Sequence, residues 1–217
     1  MKVHRPLEGV EIRVDQEAVH VVSETSLICC ASAIVGGGII TSRHILNMHV
    51  AKGYSTSDPG VDLRAFAKCR GIVEPFVGMM TAAWTEKAAV VTETQDGIAV
   101  TAVVTAGLSN PVAAGVSPVH RCEASTINTI LLVDADLPPA ALVNSIITAT
   151  EAKALVLGEA KALTPDGRPA SGTSTDAVVV AATGRGCRVS YAGPVSECGW
   201  LVARAVRLAL ARALSLA

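Results

Sequence analysis

The stretch from Asn128 to Lys153, NTILLVDADLPPAALVNSIITATEAK, constrains the fold of this 217-residue chain most strongly because its hydrophobic period changes within it. Ile130 to Val133 is a continuous apolar run, which predicts a strand that is covered on both faces. Pro138 and Pro139 suit the first turn of a helix, where a missing N–H costs little. Apolar residues then recur at helical spacing, so we predict a strand, a turn and a long helix that packs on the sheet. The predicted packing stripe is Leu142, Val143, Ile146, Ile147, Thr150 and Ala154.

The opposite stripe of this helix is polar. Asn144, Thr148 and Glu151 lie three and four residues apart, so they share one helix face. A surface helix normally turns such a face to water, and the alternative is that it borders a site. At the end of the preceding strand, Asp134 and Asp136 project to the same side, where a carboxylate can also cap the first turn of the helix.

The composition argues against nucleic-acid and membrane partners. Only 3% of the residues are aromatic and the formal net charge is −1, so the chain lacks the stacking platforms and the basic field of a nucleic-acid binder. The apolar run from Leu27 to Ile40 is shorter than a membrane span of roughly 20 residues and is interrupted by Ser32 and three glycines. Charges near the amino terminus also differ from a signal peptide. We therefore expect a cytoplasmic protein.

The cysteines indicate neither a disulfide framework nor a metal site. They show no C-x-x-C pair or zinc spacing, and a chain of this length needs no covalent staples. His120 and Cys122 lie in one polar loop, but further ligands at a suitable spacing are missing. We expect no protein-bound metal and mostly buried, reduced thiols at Cys29, Cys30, Cys69, Cys122, Cys187 and Cys198.

Strands dominate the first part of the chain and helices follow. Ala88 to Glu93 and Ile98 to Ala106 are joined by Gln95-Asp96-Gly97, the strongest hairpin signal present. A last strand is predicted at Arg188 to Ala192, and Ser196 is a suitable N-cap for a terminal helix. The pattern predicts an α+β fold with largely antiparallel β-sheet layers, on which a long central helix and a C-terminal helix pack. Without a repeat or a long linker, residues 1–217 fit a single domain.

Two polar loops beside predicted strands are candidate binding segments. Ser109 and Asn110 follow a buried strand, and 172–176 precedes the strand Ala177 to Ala182. Backbone N–H groups and hydroxyls in the second loop can hold an oxyanion or an amide oxygen, and Asp176 can orient a proton or the substrate. Ordinary turn chemistry explains the same residue types. The loop lacks the Gly-Lys-Ser/Thr ending of a phosphate-binding P-loop.

Four strings together resemble the adenosylcobinamide amidohydrolase family of cobamide salvage. They are VTAGLSNPVAAG at 104–115, the string at 128–153 given above, SGTSTDAVVVA at 171–181 and YAGP at 191–194. The resemblance covers the last two thirds of the chain well and the first third loosely. Ser174 departs from the family pattern, since glycine is expected there.

The resemblance implies a reaction and a substrate. The family hydrolyses the amide that links the aminopropanol arm to the corrin ring of adenosylcobinamide, which gives adenosylcobyric acid and 1-amino-2-propanol. Cobalt would then enter as part of the corrinoid, so we expect no separate cofactor. The alternatives are a non-catalytic corrinoid- or tetrapyrrole-binding module, an amidohydrolase of another substrate, and a domain whose polar helix stripe forms a homo-oligomer.

The candidate site residues follow from the resemblance and from their chemistry. The strand Ser42 to Val50 has Asn47 and His49 on one face and His44 on the other, and the family similarly has an asparagine and a histidine at such a strand end. His49 is our first choice for an acid/base group because histidine titrates near neutrality. A covalent route through a serine or threonine hydroxyl is the competing mechanism. The catalytic candidates are His49, Glu151 and Asp176, and the substrate-binding candidates are Asn47, Ser109, Asn110, Asn128, Thr173 and Thr175.

Overall fold

The apolar run at 130–133 forms the middle of a strand that is buried on both faces, as predicted. A computed structural model of the protein describes residues 1–73, 75–119 and 126–216. Along the central strand, side chains alternate between two hydrophobic cores: Ile130 and Leu132 face one, and Leu131 and Val133 face the other. The described strands are β1 Lys2–Leu7, β2 Val10–Val14, β3 Ala18–Ala31, β4 Gly38–His49, β5 Val77–Thr81, β6 Ala89–Gln95, β7 Ile98–Ala106, β8 Pro111–Val112, β9 Ile127–Asp134, β10 Gly172–Thr173 and β11 Ala177–Ala182. The helices are α1 Pro59–Cys69, α2 Pro139–Glu159 and α3 Glu197–Leu216.

The fold is α+β, and its main sheet is mixed rather than purely antiparallel. Nine strands form this sheet in the order β1-β2-β3-β11-β9-β7-β6, and β4 and β5 extend from β3. The pairs β9–β11 and β4–β5 are parallel, while the other described pairings are antiparallel. Each parallel pair is connected through a helix, α2 or α1, because parallel neighbours need a long crossover.

The bend in β3 folds the sheet into two facing layers. The first part of this 14-residue strand pairs with β2 and its second part pairs with β11, with a register shift between Val22 and Leu27 on the β4 side. The core between the layers joins Ile45 and Met79 of one layer to Ile130 and other residues of the second. Helices α2 and α3 cover the outer face of the β7–β9–β11 layer, and α1 covers β4 and β5.

The helix α2 packs through a different face from the predicted one. Val143 and Ile147 are 45% and 49% exposed, whereas Thr148, which we assigned to the polar stripe, is buried and its Oγ1 donates to the carbonyl oxygen of Ala192 at 2.9 Å. Hydrophobicity alone misses this face because small residues allow close approach to the sheet and to α3. The buried residues of α2 are Ala141, Leu142, Ser145, Thr148, Ala149, Ala152, Val156 and Leu157.

Two further predictions have opposite outcomes. The hairpin at β6–β7 is confirmed, with φ of 49° at Asp96 and 79° at Gly97, as a tight two-residue turn requires. The strand predicted at 188–192 is wrong, because only Arg188 forms an isolated bridge, with Asp136, and Ala192 instead contacts α2. The backbone of 188–192 is hydrogen-bonded without forming a regular strand pair. The alternation of apolar residues in this segment therefore predicted a strand that does not form.

The same helix α2 is long and apolar enough to cross a membrane by length and composition alone. In the fold, nearly half of this apolar segment is buried, and α2 contacts α3 and β11. The core helix of a globular protein can have the same length and composition, and the packing of α2 accounts for them in this structure.

Candidate active site

A buried amide pair links the two sheet layers where β4 and β5 end and β9 begins. Asn47 donates from Nδ2 to Thr105 Oγ1 at 3.0 Å, and Asn128 donates from Nδ2 to Asn47 Oδ1 at 2.8 Å. Asn128 Nδ2 also donates to the carbonyl oxygen of Met80 at 2.8 Å. Buried polar groups are costly unless they are paired, so these bonds fix one layer against the other. They use both hydrogens of the Asn128 amide within the protein.

The amide pair continues into the second polar loop. The hydroxyl of Thr126 lies 2.9 Å from Asn128 Oδ1 and 2.8 Å from the carbonyl oxygen of Thr175. In the same loop region, Asn110 Nδ2 donates to Ser174 Oγ at 2.7 Å, so the loop after β7 contacts the loop before β11. The two polar loops identified from the sequence therefore lie together beside the amide pair.

Asp176 is the charged centre of this network. Its Oδ1 accepts from the backbone N–H of Ile127 at 2.9 Å and from the hydroxyl of Thr173, and its Oδ2 accepts from the backbone N–H of Thr173 at 3.1 Å and from Lys153 Nζ. The Lys153 and Asp176 side chains are only 12% and 11% exposed. An ionised carboxylate offers about four acceptor positions, and the four donors occupy them. This arrangement suits a carboxylate that orients its neighbours, and the catalytic role of Asp176 stays a prediction.

Gly172 leaves the space in which the ion pair forms. A Cβ at this position would lie 2.5 Å from Asp176 Oδ2 and 2.7 Å from Lys153 Nζ. The loop is also held by β10, where Gly172 pairs with Val112 and Thr173 with Pro111. A side chain at 172 would therefore displace the charged end of Asp176 or of Lys153.

Three adjoining clefts open beside the network. The first, which we call the Asp176 cleft, has a volume of about 330 Å³ and includes Tyr54, Met80, Thr126, Thr175 and Asp176 in its walls. The second, the Trp84 cleft, has about 170 Å³ and is lined by Lys52, Ala82, Ala83, Trp84, Lys87, Ala106, Gly107, Leu108, Ser109 and Ala213. The third has about 380 Å³ and lies along 109–112, 117–118 and 165–166. Shared residues, Ala82 and then Ser109, join the first cleft to the second and the second to the third.

His49 is held in one orientation at the end of β4. Its Nδ1 lies 3.0 Å from the carbonyl oxygen of Ala83, and a carbonyl accepts only from an N–H group. In the neutral ring, this contact assigns the hydrogen to Nδ1 and leaves Nε2 as the basic nitrogen. The ring also stacks on Trp84, with centroids 5.0 Å apart and planes inclined by 20°. The geometry suits a general base whose tautomer is set by the protein.

The predicted residues divide into two groups by position. Asn47, Asn128, Thr173, Thr175 and Asp176 form one connected network, and Asn110 joins it through Ser174. Ser109 lines the neighbouring Trp84 cleft, and His49 stacks on Trp84 of that cleft. Glu151 lies on the exposed surface of α2, and no hydrogen bond or ion pair joins it to this network within the described residues.

Lys153 is the main residue that sequence reasoning missed. It is the lysine of α2, it lies within one turn of the buried Ala149, Ala152 and Val156, and it reaches Asp176. A single cation on the apolar side of a helix was an available signal, because such a charge needs a partner. Thr105 and Thr126 were also missed, and no pattern separates them from other strand threonines.

Thiol chemistry is disfavoured at the buried cysteines. Burial raises the pKa of Cys29 to about 12 and that of Cys198 to about 11, so both thiols stay protonated near neutral pH. Across residues 1–73, 75–119 and 126–216, no group of three or more His, Cys, Asp and Glu side chains is arranged to hold a metal ion, and the cysteines are free. His120 and Cys122 lie outside the described residues.

Two solved structures share this fold. The PH0078 protein from Pyrococcus horikoshii superposes with a TM-score of 0.54 at 12% identity, over 94% of this chain and 78% of that one. A β-aminopeptidase from Burkholderia sp. superposes with a TM-score of 0.53 at 15% identity, over 99% of this chain and 82% of that one. At such low identity, these similarities concern the fold alone.

Sequence comparison identifies the family. An uncharacterized protein from Methanocaldococcus jannaschii is 36% identical over 98 residues, which are 44% of this chain and 38% of that protein. An adenosylcobinamide amidohydrolase from Methanosarcina mazei is 33% identical over 181 residues, which are 79% of this chain and 82% of the relative. The family model described as adenosylcobinamide amidohydrolase matches residues 4–217. The chain therefore belongs to the adenosylcobinamide amidohydrolase family, as the four sequence strings predict.

Proposed function

We propose that the protein hydrolyses the amide between the aminopropanol arm and the corrin ring of adenosylcobinamide, and releases adenosylcobyric acid and 1-amino-2-propanol. Family membership supports amide hydrolysis on this substrate. The observation that carries the location is the buried ion pair Lys153–Asp176, whose carboxylate borders a cleft of about 330 Å³. A charge pair at the wall of a cleft is a common feature of catalytic sites.

Amide hydrolysis needs an activated nucleophile, a stabilised oxyanion and a proton for the leaving nitrogen. In the proposed reaction, His49 Nε2 takes a proton from water as the oxygen attacks the amide carbon. The same proton then passes to the nitrogen, and the C–N bond breaks to give a carboxylic acid and an amine. The acid then gives its proton to the amine, so the final products are a carboxylate and an ammonium ion. The Ala83 carbonyl supports this role, because it keeps Nδ1 protonated and Nε2 available.

The loop before β11 supplies the candidate oxyanion site. Lys153 brings positive charge to it, and Asp176 holds Lys153 and Thr173 through the bonds described above. A positioned ammonium group stabilises developing negative charge, since it needs no rearrangement during the reaction. In this proposal Asn47 and Asn128 maintain the walls, while Ser109, Asn110 and Thr175 face the substrate from the two polar loops.

A covalent route is the second mechanism. The hydroxyl of Thr173 donates to Asp176, next to Lys153, which is the kind of contact that activates a hydroxyl nucleophile. Intact-protein mass spectrometry during turnover distinguishes the routes. A mass increase equal to the cobyric acyl group, absent in Thr173→Val, would support the covalent route, and its absence during turnover would favour direct attack by water.

The test of the function is incubation of the purified protein with adenosylcobinamide, with mass spectrometry of both products. We expect His49→Ala to lower kcat by roughly 10²–10⁴-fold, the usual contribution of a general base. His4→Ala on the edge strand β1 is the matched control and should keep full activity. Wild-type protein that binds the corrinoid and leaves it intact would contradict the proposed function and support a binding module.

We also propose that the protein acts in the cytoplasm, with the corrinoid as its partner and without a nucleic-acid, membrane or separate cofactor requirement. The net charge of −1 and the scarcity of aromatic residues support this proposal, as does the packing of the apolar helix α2 inside the fold. A homo-oligomer stays a prediction, for which light scattering of the purified protein is the direct measurement.

A further inference from the structure

The placement of Trp84 is not explained by core packing. The chain contains only two tryptophans, and the hydrophobic cores are built mainly from Val, Ile, Leu and Ala. Trp84 is 55% exposed and lines the smallest of the three adjoining clefts. An indole at the wall of a cleft offers a ring face on which a planar ligand can stack, and this position distinguishes Trp84 from Trp200.

The indole is also held rigidly. It stacks on His49, and the His49 ring is fixed by the carbonyl oxygen of Ala83. The backbone before and after Trp84 is bonded as well, since Ala83 N–H donates to Thr81 Oγ1 at 3.1 Å and Lys87 N–H donates to the Trp84 carbonyl oxygen at 3.1 Å. A preordered aromatic surface loses little conformational freedom when a second ring stacks on it.

The chemistry of the Trp84 cleft suits a purine. Lys52 and Lys87 are exposed donors, and Ser109 carries a hydroxyl at the rim. Adenine has a π-face for stacking and ring nitrogens that accept hydrogen bonds. With about 170 Å³, the cleft fits one planar group better than a corrin macrocycle, and it adjoins the Asp176 cleft through Ala82.

We propose that Trp84 is a specificity-determining residue that binds the adenine of the adenosyl group while the amide lies in the Asp176 cleft. This inference rests on the proposed function, because it takes adenosylcobinamide as the substrate. The adenosyl group and the aminopropanol arm are separate substituents of the corrinoid, so each can occupy its own cleft. Trp84 would then distinguish adenosylated corrinoids from corrinoids with a small axial ligand.

The kinetic test compares adenosylcobinamide with dicyanocobinamide, in which cyanide replaces the adenosyl group. Loss of one base–aromatic stack corresponds to roughly tenfold weaker binding. We therefore expect Trp84→Ala to raise KM about tenfold for adenosylcobinamide and to leave KM for dicyanocobinamide within about twofold. Trp84→Phe keeps an aromatic face and should restore most of the difference. Trp200→Ala removes the other exposed tryptophan, outside the three clefts, and should change neither value.

The contact between Trp84 and His49 requires a separate control. If the indole only positions His49, Trp84→Ala lowers kcat for both corrinoids by the same factor and leaves the ratio of their KM values unchanged. That result would overturn the proposed adenine site. A substrate-dependent change in KM is the result that a purely structural role does not produce.

A binding measurement is independent of turnover. In Trp200→Phe protein, Trp84 is the sole indole, and 5′-deoxyadenosine serves as a probe without the corrin chromophore. Saturable quenching of Trp84 fluorescence by 5′-deoxyadenosine, and not by ribose, would support the site, while unchanged fluorescence would overturn it. If the wild-type protein hydrolyses neither corrinoid but the quenching occurs, the proposed function fails and the purine site stands.

Discussion

The two parallel strand pairs contribute opposite ends to the candidate active site, and the two ends differ in character. The pair β4–β5 supplies its carboxyl end, with Asn47, His49 and the following Trp84. The pair β9–β11 supplies its amino end, with Asn128 and Asp176. Ligands of parallel sheets usually bind at the carboxyl ends of strands, and only the first pair follows this rule.

The two ends of the site have different roles. Side chains at the β4–β5 end are placed to contact a substrate, and side chains at the β9–β11 end hold the structure together. At the β4–β5 end, Trp84 lines a cleft and the His49 ring stacks on it. At the β9–β11 end, the charges of Lys153 and Asp176 are nearly enclosed and are satisfied by protein donors. We infer that substitutions at the first end change chemistry and specificity, while substitutions at the second end also change stability. The following predictions test this division, beginning with the largest expected effect.

The largest loss of stability is expected when the ion pair is broken. Lys153→Met leaves the Asp176 carboxylate without its cation, and an uncompensated, mostly buried charge costs about 3 kcal/mol of unfolding free energy. Urea unfolding measures this loss. The exposed Lys68→Met on α1 is the matched control and should stay within about 0.5 kcal/mol of wild type. Equal stability of the two variants would contradict the inference that the β9–β11 end contributes to stability.

The next effect concerns pH and distinguishes His20 on β3 from His49 on β4. His44 Nδ1 lies 3.2 Å from Nε2 of His20 on β3, and burial, together with the charge of His44, lowers the pKa of His20 to about 4. Between pH 6.5 and 4 the unfolded chain binds a proton at His20 that the native protein does not, so unfolding free energy falls as pH decreases. We expect a loss of about 2 kcal/mol across this range, measured by urea unfolding.

A matched pair of variants tests the origin of this acid sensitivity. His20→Gln removes the titrating ring and should flatten the pH dependence, whereas His49→Gln should leave it unchanged. The result would separate a histidine that affects stability, on β3, from a histidine proposed for the chemistry, on the neighbouring strand β4. If His49→Gln also flattened the pH dependence of the unfolding free energy, the β4–β5 end would contribute to pH-dependent stability. That result would contradict the proposed difference between the two ends.

The third prediction compares Gly172 in β10 with Gly158 in the last turn of α2. Gly172→Ala inserts a methyl group between Asp176 and Lys153, and we expect a loss of about 1.5 kcal/mol, typical of overpacking at a tight site. A Cβ at Gly158 meets nothing within 4 Å, so Gly158→Ala should stabilise the helix by about 0.5 to 1 kcal/mol. Thermal unfolding compares both variants. A neutral Gly172→Ala would show that the ion pair tolerates displacement.

The local features of the fold were predictable from sequence, and the features that depend on layer stacking were not. The β9 run, the Asp96-Gly97 turn and the β11 strand follow from short patterns. The buried face of α2 depends on contacts with α3 and with the loop at Ala192, which lies 44 residues from Thr148 in sequence. The spacing of apolar residues along α2 contains no information about a contact so distant in sequence.

The candidate site shows the same limit. Asn47, Asn128 and Asp176 were identifiable by residue type at strand ends, but their connection spans 81 residues between Asn47 and Asn128. The bend in β3 brings these segments together, and this bend is a property of strand pairing rather than of one motif. Lys153 was missed for a related reason, because its partner Asp176 becomes visible only when α2 crosses over β11.

The smallest expected effect concerns Glu151, which the sequence pattern selects as a catalytic candidate. Its side chain is on the exposed side of α2, whereas Lys153, two residues later, reaches the network. We expect Glu151→Gln to keep kcat/KM within about twofold of wild type and to change unfolding free energy by less than about 0.5 kcal/mol. Lys153→Met should lose activity under the same assay. A large loss in Glu151→Gln alone would return the carboxylate to the catalytic set and would require α2 to act in catalysis through its outer face. Retained activity would instead restrict the role of α2 to the charge that it delivers to Asp176.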